Sequence, residues 1–279
     1  FKSIQMGRAY RAERPQKGRL REFIQCDIDI LGSERPFAER ELIAVTAEAL
    51  LALGFEGFTL HLNDRRVLRA LLDALGFGRG DHGPALIALD KLDKIGLPGV
   101  ASELAGRGLP LAAVDGLVAF LGRPDGPKAL RDAVGSLPAL SELEALVADA
   151  NALGQEAWTA VLDRTLVRGQ GYYTGTIFEI TLPGFPGSVA GGGRYDEMIG
   201  KFTGQPTPAV GFSIGFERIV SLLLERADAA DAAPRLALLY GAETAFPALF
   251  GQMRALAETY VVDALPLQDN VGKQLKRLA

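Results

Sequence analysis

Arg11-Ala-Glu13-Arg14-Pro-Gln-Lys17-Gly-Arg19-Leu-Arg21-Glu22-Phe23-Ile-Gln25-Cys-Asp27-Ile-Asp29-Ile opens basic, turns at a proline and a glycine, and ends with polar groups at every second position. Side chains alternate across a strand, so Phe23, Gln25, Asp27 and Asp29 share one face and Ile24, Cys26, Ile28 and Ile30 the other. With Phe1, Ile4 and Met6 on the segment before it, the stretch predicts two antiparallel strands joined by a cationic loop. Such a pair has one apolar face and one polar face able to line a site. Basic groups at one end suit phosphates, and the polar row suits a small molecule.

Outward from that hairpin, the pattern turns helical from Pro36 to Leu53, with Leu42, Val45, Ala49 and Leu53 near a 3.6-residue period and Gly54 closing the helix. Phe58–Asn63 reads as a strand. Residues 65–160 are rich in Leu and Ala and read as a mostly helical insert, broken at Gly78–Gly80, Gly96–Pro98 and Arg123–Pro127. Strands return at Ile177–Leu182, Ser188–Ala190 and Ala209–Ile214, and a helix follows from Gly215 to Arg226. Residues 228–234, part of an Ala/Asp/Pro-rich run, read as a linker. Strand, helix, strand and helix after it predict the beginning of a small α/β domain over 235–279.

The chain has 279 residues, of which 48% are hydrophobic and 23% charged, the proportions of globular material with a sizeable core. It contains no apolar run of about eighteen residues, so no membrane span is expected. The single cysteine, Cys26, excludes an internal disulfide framework and fits a reducing cytoplasm. With only His61 and His82 beside it, no His/Cys metal cluster is expected. A net charge of −4 argues against coating nucleic acid through overall charge, and no DNA partner is expected. The chain begins at Phe1, inside a strand pattern, and a missing upstream segment is expected.

A second group of stretches lies downstream: Arg168-Gly-Gln-Gly-Tyr172-Tyr173-Thr-Gly-Thr, Gly191-Gly-Gly-Arg194-Tyr195-Asp196 and Val210-Gly-Phe-Ser-Ile-Gly215-Phe-Glu217-Arg218. Together with Tyr10–Phe23, they resemble class II aminoacyl-tRNA synthetases, and within that class the histidyl-tRNA synthetase family. Tyr10–Phe23 is similar to motif 2, the Arg168 and Gly191 stretches to the two histidine-specific signatures, and Val210–Arg218 to motif 3. Lys91-Leu-Asp93-Lys94-Ile-Gly96 in the insert is also similar to the family. The order matches and the resemblance spans nearly the whole chain.

The resemblance implies an α+β fold: an antiparallel catalytic sheet of the six-stranded type flanked by helices, a helical insert, and a partial C-terminal α/β anticodon-binding domain. The implied domains are 1–64 and 161–227 for the catalytic part, 65–160 for the insert and 235–279 for the anticodon-binding part. The implied substrates are L-histidine, ATP with Mg2+ and tRNA(His), and the implied assembly is a homodimer, although motif 1, which builds that interface in the family, is absent from the sequence. By resemblance Arg11 and Arg168 flank the α-phosphate and the amino-acid carboxylate, and Arg218 meets adenine and the γ-phosphate. Glu13, Arg19 and Phe23 belong to the ATP site, with Glu13 on the adenine edge and Phe23 on its face. Gln25 and Asp29 hold the amino group, and Tyr172 and Tyr173 close the imidazole pocket. Asp29 departs from the family glutamate, and Gln170-Gly171 from the commoner Leu-Asp. No protein-held metal or organic cofactor is implied.

The chemistry suits these residue types. A carboxylate that attacks a phosphate needs fixed positive charge that stays charged and grips bidentately, which is arginine's property. Taken singly, the Arg14–Arg21 loop reads as a solvated hairpin, Gly191–Gly193 as a bulge or tight turn, Tyr172-Tyr173 as strand-start aromatics and Glu217-Arg218 as a surface pair. His61 and His82 read as structural, with no catalytic partner nearby, and Cys26 as packed in the core. Their joint occurrence in one order favours the ligase. The rivals are a histidine-sensing paralogue, such as the regulatory subunit of ATP phosphoribosyltransferase, and a sensor of uncharged tRNA. Both are expected to lose the ATP arginines, which this sequence keeps.

Overall fold

The computed structural model describes residues 1–12, 20–34, 36–168, 171–229 and 235–278. Its contacts divide it into two units, Phe1–Arg218 and Ile219–Ala279.

The first unit is built on a seven-stranded sheet. Its strands are β1 (Lys2–Tyr10), β2 (Glu22–Leu31), β3 (Thr59–Asp64), β4 (Thr159–Leu162), β5 (Thr176–Thr181), β6 (Ser188–Arg194) and β7 (Ala209–Gly215), in the spatial order β1-β2-β7-β6-β5-β3-β4. Every neighbouring pair is antiparallel except β3 and β4, which run parallel. The sheet is thus mixed and has one strand more than the six-stranded type. The extra strand is β4, four residues long, reached through the helical stretch that precedes it. A parallel neighbour needs such a crossover.

Between β2 and β3 lies α1 (Phe37–Ala52), and between β3 and β4 lie α2 (Arg65–Ala74), α3 (His82–Leu89), α4 (Leu92–Gly106), α5 (Leu111–Leu121), α6 (Gly126–Val134) and α7 (Pro138–Gly154). The Asp64 side chain caps α2 by accepting from the Arg66 amide at 2.7 Å. The expected break at Gly96–Pro98 is present: α4 is two helical pieces that meet at Gly96, whose φ of +66 and ψ of 173 are non-helical, just before Pro98. The short helix α8 (Met198–Thr203) joins β6 to β7.

Register decides which side chains share a face. Leu60 and Leu62 lie opposite Ile180 and Phe178, Phe178 opposite Gly192, and Gly192 opposite Phe212. These apolar side chains are buried, with the Phe178 and Phe212 rings tilted against each other at 5.2 Å between centroids, and α1 and α7 pack against the sheet. The pattern weakens at the β1 edge, where Ile4 and Met6 are 73% and 64% exposed. Cys26, paired with Met6, turns away from the polar face as alternation requires, but it is half-buried rather than in the core, because the edge strand beside it is open.

The second unit takes most of α9 (Phe216–Ala229), then β8 (Arg235–Tyr240), α10 (Phe246–Leu256), β9 (Val261–Pro266) and α11 (Val271–Leu278). β8 and β9 pair in parallel with α10 as their crossover. Residues 230–234 of the expected linker lie outside the described residues.

Candidate active site

The polar face of the sheet is organised in rows. Asp27 lies opposite Ser213, Ser213 opposite Gly191, Gly191 opposite Glu179, and Glu179 opposite His61. The next row runs Asp29, Gly211, Gly193, Ile177 and Asn63. On the other side Gln25 lies opposite Gly215 on β7, and Phe23 opposite Ala9 on β1. Facing residues in adjacent strands project to the same side. The four polar-face residues predicted on β2 therefore form a line that crosses these rows.

The glycines of β6 and β7 make this face a floor. A Cβ on Gly191 would stand 2.5 Å from the Arg168 guanidinium, and one on Gly193 would stand 2.6 Å from the Thr176 carbonyl and 2.8 Å from the Tyr173 ring. At Gly211 a Cβ would fall 2.0 Å from the Asp29 carboxylate. Each glycine holds open a volume that a site side chain occupies. The expected bulge or tight turn is instead a paired strand with its side chains deleted.

Arg168 reaches this floor from an unusual backbone. Its φ is +56, a left-handed conformation that costs a residue with a Cβ of order 1 kcal/mol or more. The buried Arg65 guanidinium holds that bend by donating to the Arg168 carbonyl at 2.7 Å. The Arg168 side chain donates to Glu179 at 2.7 Å and keeps 24% of its area exposed. Burial works against its charge, but Glu179 and Tyr173 outweigh that and leave its pKa above the usual arginine value.

At the Asp29 end three tyrosines gather. Tyr172 and Tyr173 have ring centroids 4.5 Å apart, and Tyr195 meets Tyr172 edge-on at 6.0 Å. The Tyr195 hydroxyl donates to Asp29, so the carboxylate that is one methylene shorter than the family glutamate is met by a phenol. Burial raises the Asp29 pKa and Asp27 adds to it, against the pull of Tyr195. Burial also raises the phenol pKa values of Tyr172 and Tyr195, so both remain neutral donors at physiological pH. Gln25 donates to Asp27 at 3.0 Å and to Ser213 at 2.9 Å.

The opposite end is cationic. The Arg11 guanidinium lies 3.8 Å from the centre of the Phe23 ring, a cation–π stack. Arg218 donates to the Ser188 carbonyl, and Glu217 accepts from the Ile24 amide, tying the start of α9 to β2 and β6. Glu13 and Arg19, expected at the ATP site, lie outside the described residues, as do Gly169 and Gln170.

Sequence reading missed several participants. Tyr195 lies inside a quoted stretch but was given no role; its tie to Asp29 spans 166 residues. Glu179, Ser213 and Arg65 carried no local signal. His61, read as structural with no catalytic partner nearby, is held by two groups distant in sequence: Asp163 at 2.9 Å and Thr181 at 3.0 Å. Arg194 has the reverse character from Arg168. It spends its donors on both oxygens of buried Glu39, on the Ser33 carbonyl and on Asp196. Among the described residues no group of three or more His, Cys, Asp or Glu side chains is arranged to hold a metal ion, and no helix is long and apolar enough to cross a membrane.

Comparison with known proteins points to one family. A sequence profile described as histidyl-tRNA synthetase matches residues 2–219. A curated histidine–tRNA ligase from Leifsonia xyli is 50% identical over 237 residues, covering 80% of this chain and 54% of the relative. The crystal structure of histidyl-tRNA synthetase from Nostoc sp. PCC 7120 superposes with a TM-score of 0.71 at 26% identity, over 99% of this chain and 67% of that one. A Bacillus halodurans structure described as an ATP phosphoribosyltransferase regulatory subunit/histidyl-tRNA synthetase shares the fold, with a TM-score of 0.69 at 23% identity over 99% of this chain and 71% of that one. The chain spans about half the length of the curated relatives it matches.

Proposed function

The chain belongs to the histidyl-tRNA synthetase family, and from that premise we propose that it serves ATP-dependent activation of L-histidine and transfer of the histidyl group to the 3′ end of tRNA(His). The observation that carries this is the polarity of the floor. Carboxylates and phenols gather at Asp29, arginines stand at Arg11 and Arg218, and Arg168 lies between them over Gly191.

That order suits the reaction. Asp29 and Gln25 take the α-ammonium of histidine, and the phenols of Tyr172 and Tyr173 offer the imidazole ring polar edges and an aromatic wall. Rejecting an analogue works best when it would leave such groups unpaired. The histidine carboxylate oxygen attacks the α-phosphorus of ATP, the bond to the β-phosphate oxygen breaks, and pyrophosphate leaves. Negative charge builds on the α-phosphoryl oxygens, where Arg168 and Arg11 supply fixed donors that need no reorganisation. Arg218 and Phe23 serve the nucleotide, and ATP arrives with Mg2+ as its substrate complex. In the second step the terminal ribose hydroxyl attacks the acyl carbon and releases AMP.

The family relation supports a homodimer in the cytoplasm, an insertion over 65–160 and an anticodon-binding role for the second unit. The shared fold of the Bacillus halodurans protein keeps one alternative in view, a chain that senses histidine without activating it. Amino-acid-dependent ATP–pyrophosphate exchange on the full-length parent, tried with each amino acid, separates the two. Exchange with histidine alone is expected. Histidine binding without exchange would move the reading to the sensor.

A further inference from the structure

Asp27 stands between Gln25 and Asp29 on the site face of β2, in the row that runs through Ser213 to Gly191, the glycine under the Arg168 guanidinium. It is half-buried, as is Ser213. Its Oδ1 accepts from Gln25 Nε2 at 3.0 Å. Among the described residues its other oxygen takes no hydrogen bond, and no cation pairs with it.

This carboxylate acts on the site in two ways. The first is through Gln25, whose amide nitrogen has two hydrogens and donates to Asp27 and, at 2.9 Å, to the Ser213 hydroxyl. A carboxylate only accepts, so Asp27 fixes which end of the amide faces it and leaves the Gln25 carbonyl oxygen to accept from a cation. The second is electrostatic. Burial raises the Asp29 pKa and Asp27 adds to it; burial and Tyr173 raise that of Tyr172, and Asp27 adds there too. Negative charge is therefore concentrated around Asp29 and Tyr172. Its opposite, Arg168, lies over β6, whose backbone runs two strand spacings, about 10 Å, from β2. A zwitterion laid across Ser213 meets a cation seat on β2 and an anion seat on β6.

We propose that Asp27 is a third ligand of the substrate's α-ammonium, taking one N–H while Asp29 and the Gln25 carbonyl take the others, and that it selects for substrates carrying an amino group. An ammonium has three hydrogens to place, and these three acceptors stand in sequence on one face of one strand. The histidine carboxylate then points across Ser213 toward Arg168, and the ring toward Tyr172 and Tyr173. The inference rests on the reading of this face as the histidine site and adds to it a residue that also orients Gln25.

The test titrates the full-length parent and its Asp27→Asn variant with L-histidine, with histamine, which lacks the carboxylate, and with imidazolepropionate, which lacks the ammonium. Histidine and histamine should each bind the variant about 10- to 100-fold more weakly. Imidazolepropionate should bind it no more weakly than the parent, which also reports that the variant is folded. In pyrophosphate exchange the histidine KM should rise by a similar factor while kcat falls less than about threefold, because the ammonium is held equally before and during attack on the phosphorus. Removing Gln25 separates touching from orienting: in a Gln25→Ala background, Asp27→Asn should still weaken histidine binding about fivefold or more. An unchanged histidine affinity overturns the proposal. So does an equal loss for imidazolepropionate, which would set Asp27 against the ring, or the absence of any further loss without Gln25, which would leave it an orienting group alone. If the parent binds histidine without exchange, the ligase reading falls and the same three titrations still judge Asp27. A parent that binds no histidine overturns both.

Discussion

Arg168 and Arg194 stand near the ends of the two glycine-containing stretches that mark this family, and their surroundings differ in kind. Arg194 has four of its donors engaged: two bonds to Glu39, one to Asp196 and one to the Ser33 carbonyl, with 9% of its side chain exposed. Arg168 is held by Glu179 and Tyr173, sits on a left-handed backbone and faces a floor cleared by glycine. A guanidinium has five donors. One that has used most of them on its own chain holds a fold together, and one that keeps some in reserve can meet a substrate.

Breaking each arginine tests the contrast. Arg194→Ala should cost about 3–5 kcal/mol of stability, because Glu39 would remain buried and uncompensated. Denaturant unfolding measures it. Arg168→Ala should lower histidine-dependent exchange by about 100- to 1,000-fold, while the unfolding free energy changes by about 1 kcal/mol or less, since Glu179 is a quarter exposed and can be solvated. A soluble, folded Arg194→Ala protein beside a collapsed Arg168→Ala protein would invert the assignment.

Two adjacent glycines repeat the comparison on a smaller scale. A Cβ on Gly192 would stand 2.0 Å from the Gly211 carbonyl, a backbone atom of the next strand, whereas on Gly191 it meets the far end of the Arg168 side chain. Gly192→Ala should therefore destabilise by about 1–3 kcal/mol. Gly191→Ala should leave the melting temperature nearly unchanged and lower exchange about tenfold by displacing the guanidinium. Equal losses of stability in both would mean that Arg168 is as rigidly held as Arg194.

The sequence discloses whatever is periodic or carried by a run of neighbours. The alternation from Phe23 to Ile30 predicts the site face of β2, and Gly191–Gly193 advertises itself within three residues. What it hides is pairing at a distance. Neither the tie of Arg65 to the Arg168 carbonyl, 103 residues away, nor that of Tyr195 to Asp29 has a local cue. The strand β4 was hidden for another reason: Thr159–Leu162 is short and follows a long helical run, so no two-residue period could be separated from its surroundings. His61 looked isolated because Asp163 lies just beyond that strand, brought alongside by the parallel pairing.

His61 also supplies the smallest and most discriminating test, since it lies directly opposite Glu179, the residue that holds Arg168. The hydrogen bond to Asp163 raises its pKa above 6.5 against the cost of burial, helped by the charges of Asp163, Glu179 and Asp93, while Thr181 takes its other ring nitrogen. A raised folded pKa means the folded state holds this proton more tightly than the unfolded chain. The resulting stability is fully present below the unfolded value and drains away as pH rises through the folded one. His61→Gln keeps hydrogen-bonding capacity but not the charge. Its stability deficit relative to the parent should be largest below about pH 6 and vanish at alkaline pH, by about 1 kcal/mol at most for a partly exposed pair. The pH profile of exchange should not move, because Arg168 keeps its carboxylate whether or not His61 is charged. A profile that shifts with this substitution would mean that Glu179 is shared between the two cations, and Arg168 would then owe its reserve of donors to the protonation of its neighbour across the strand.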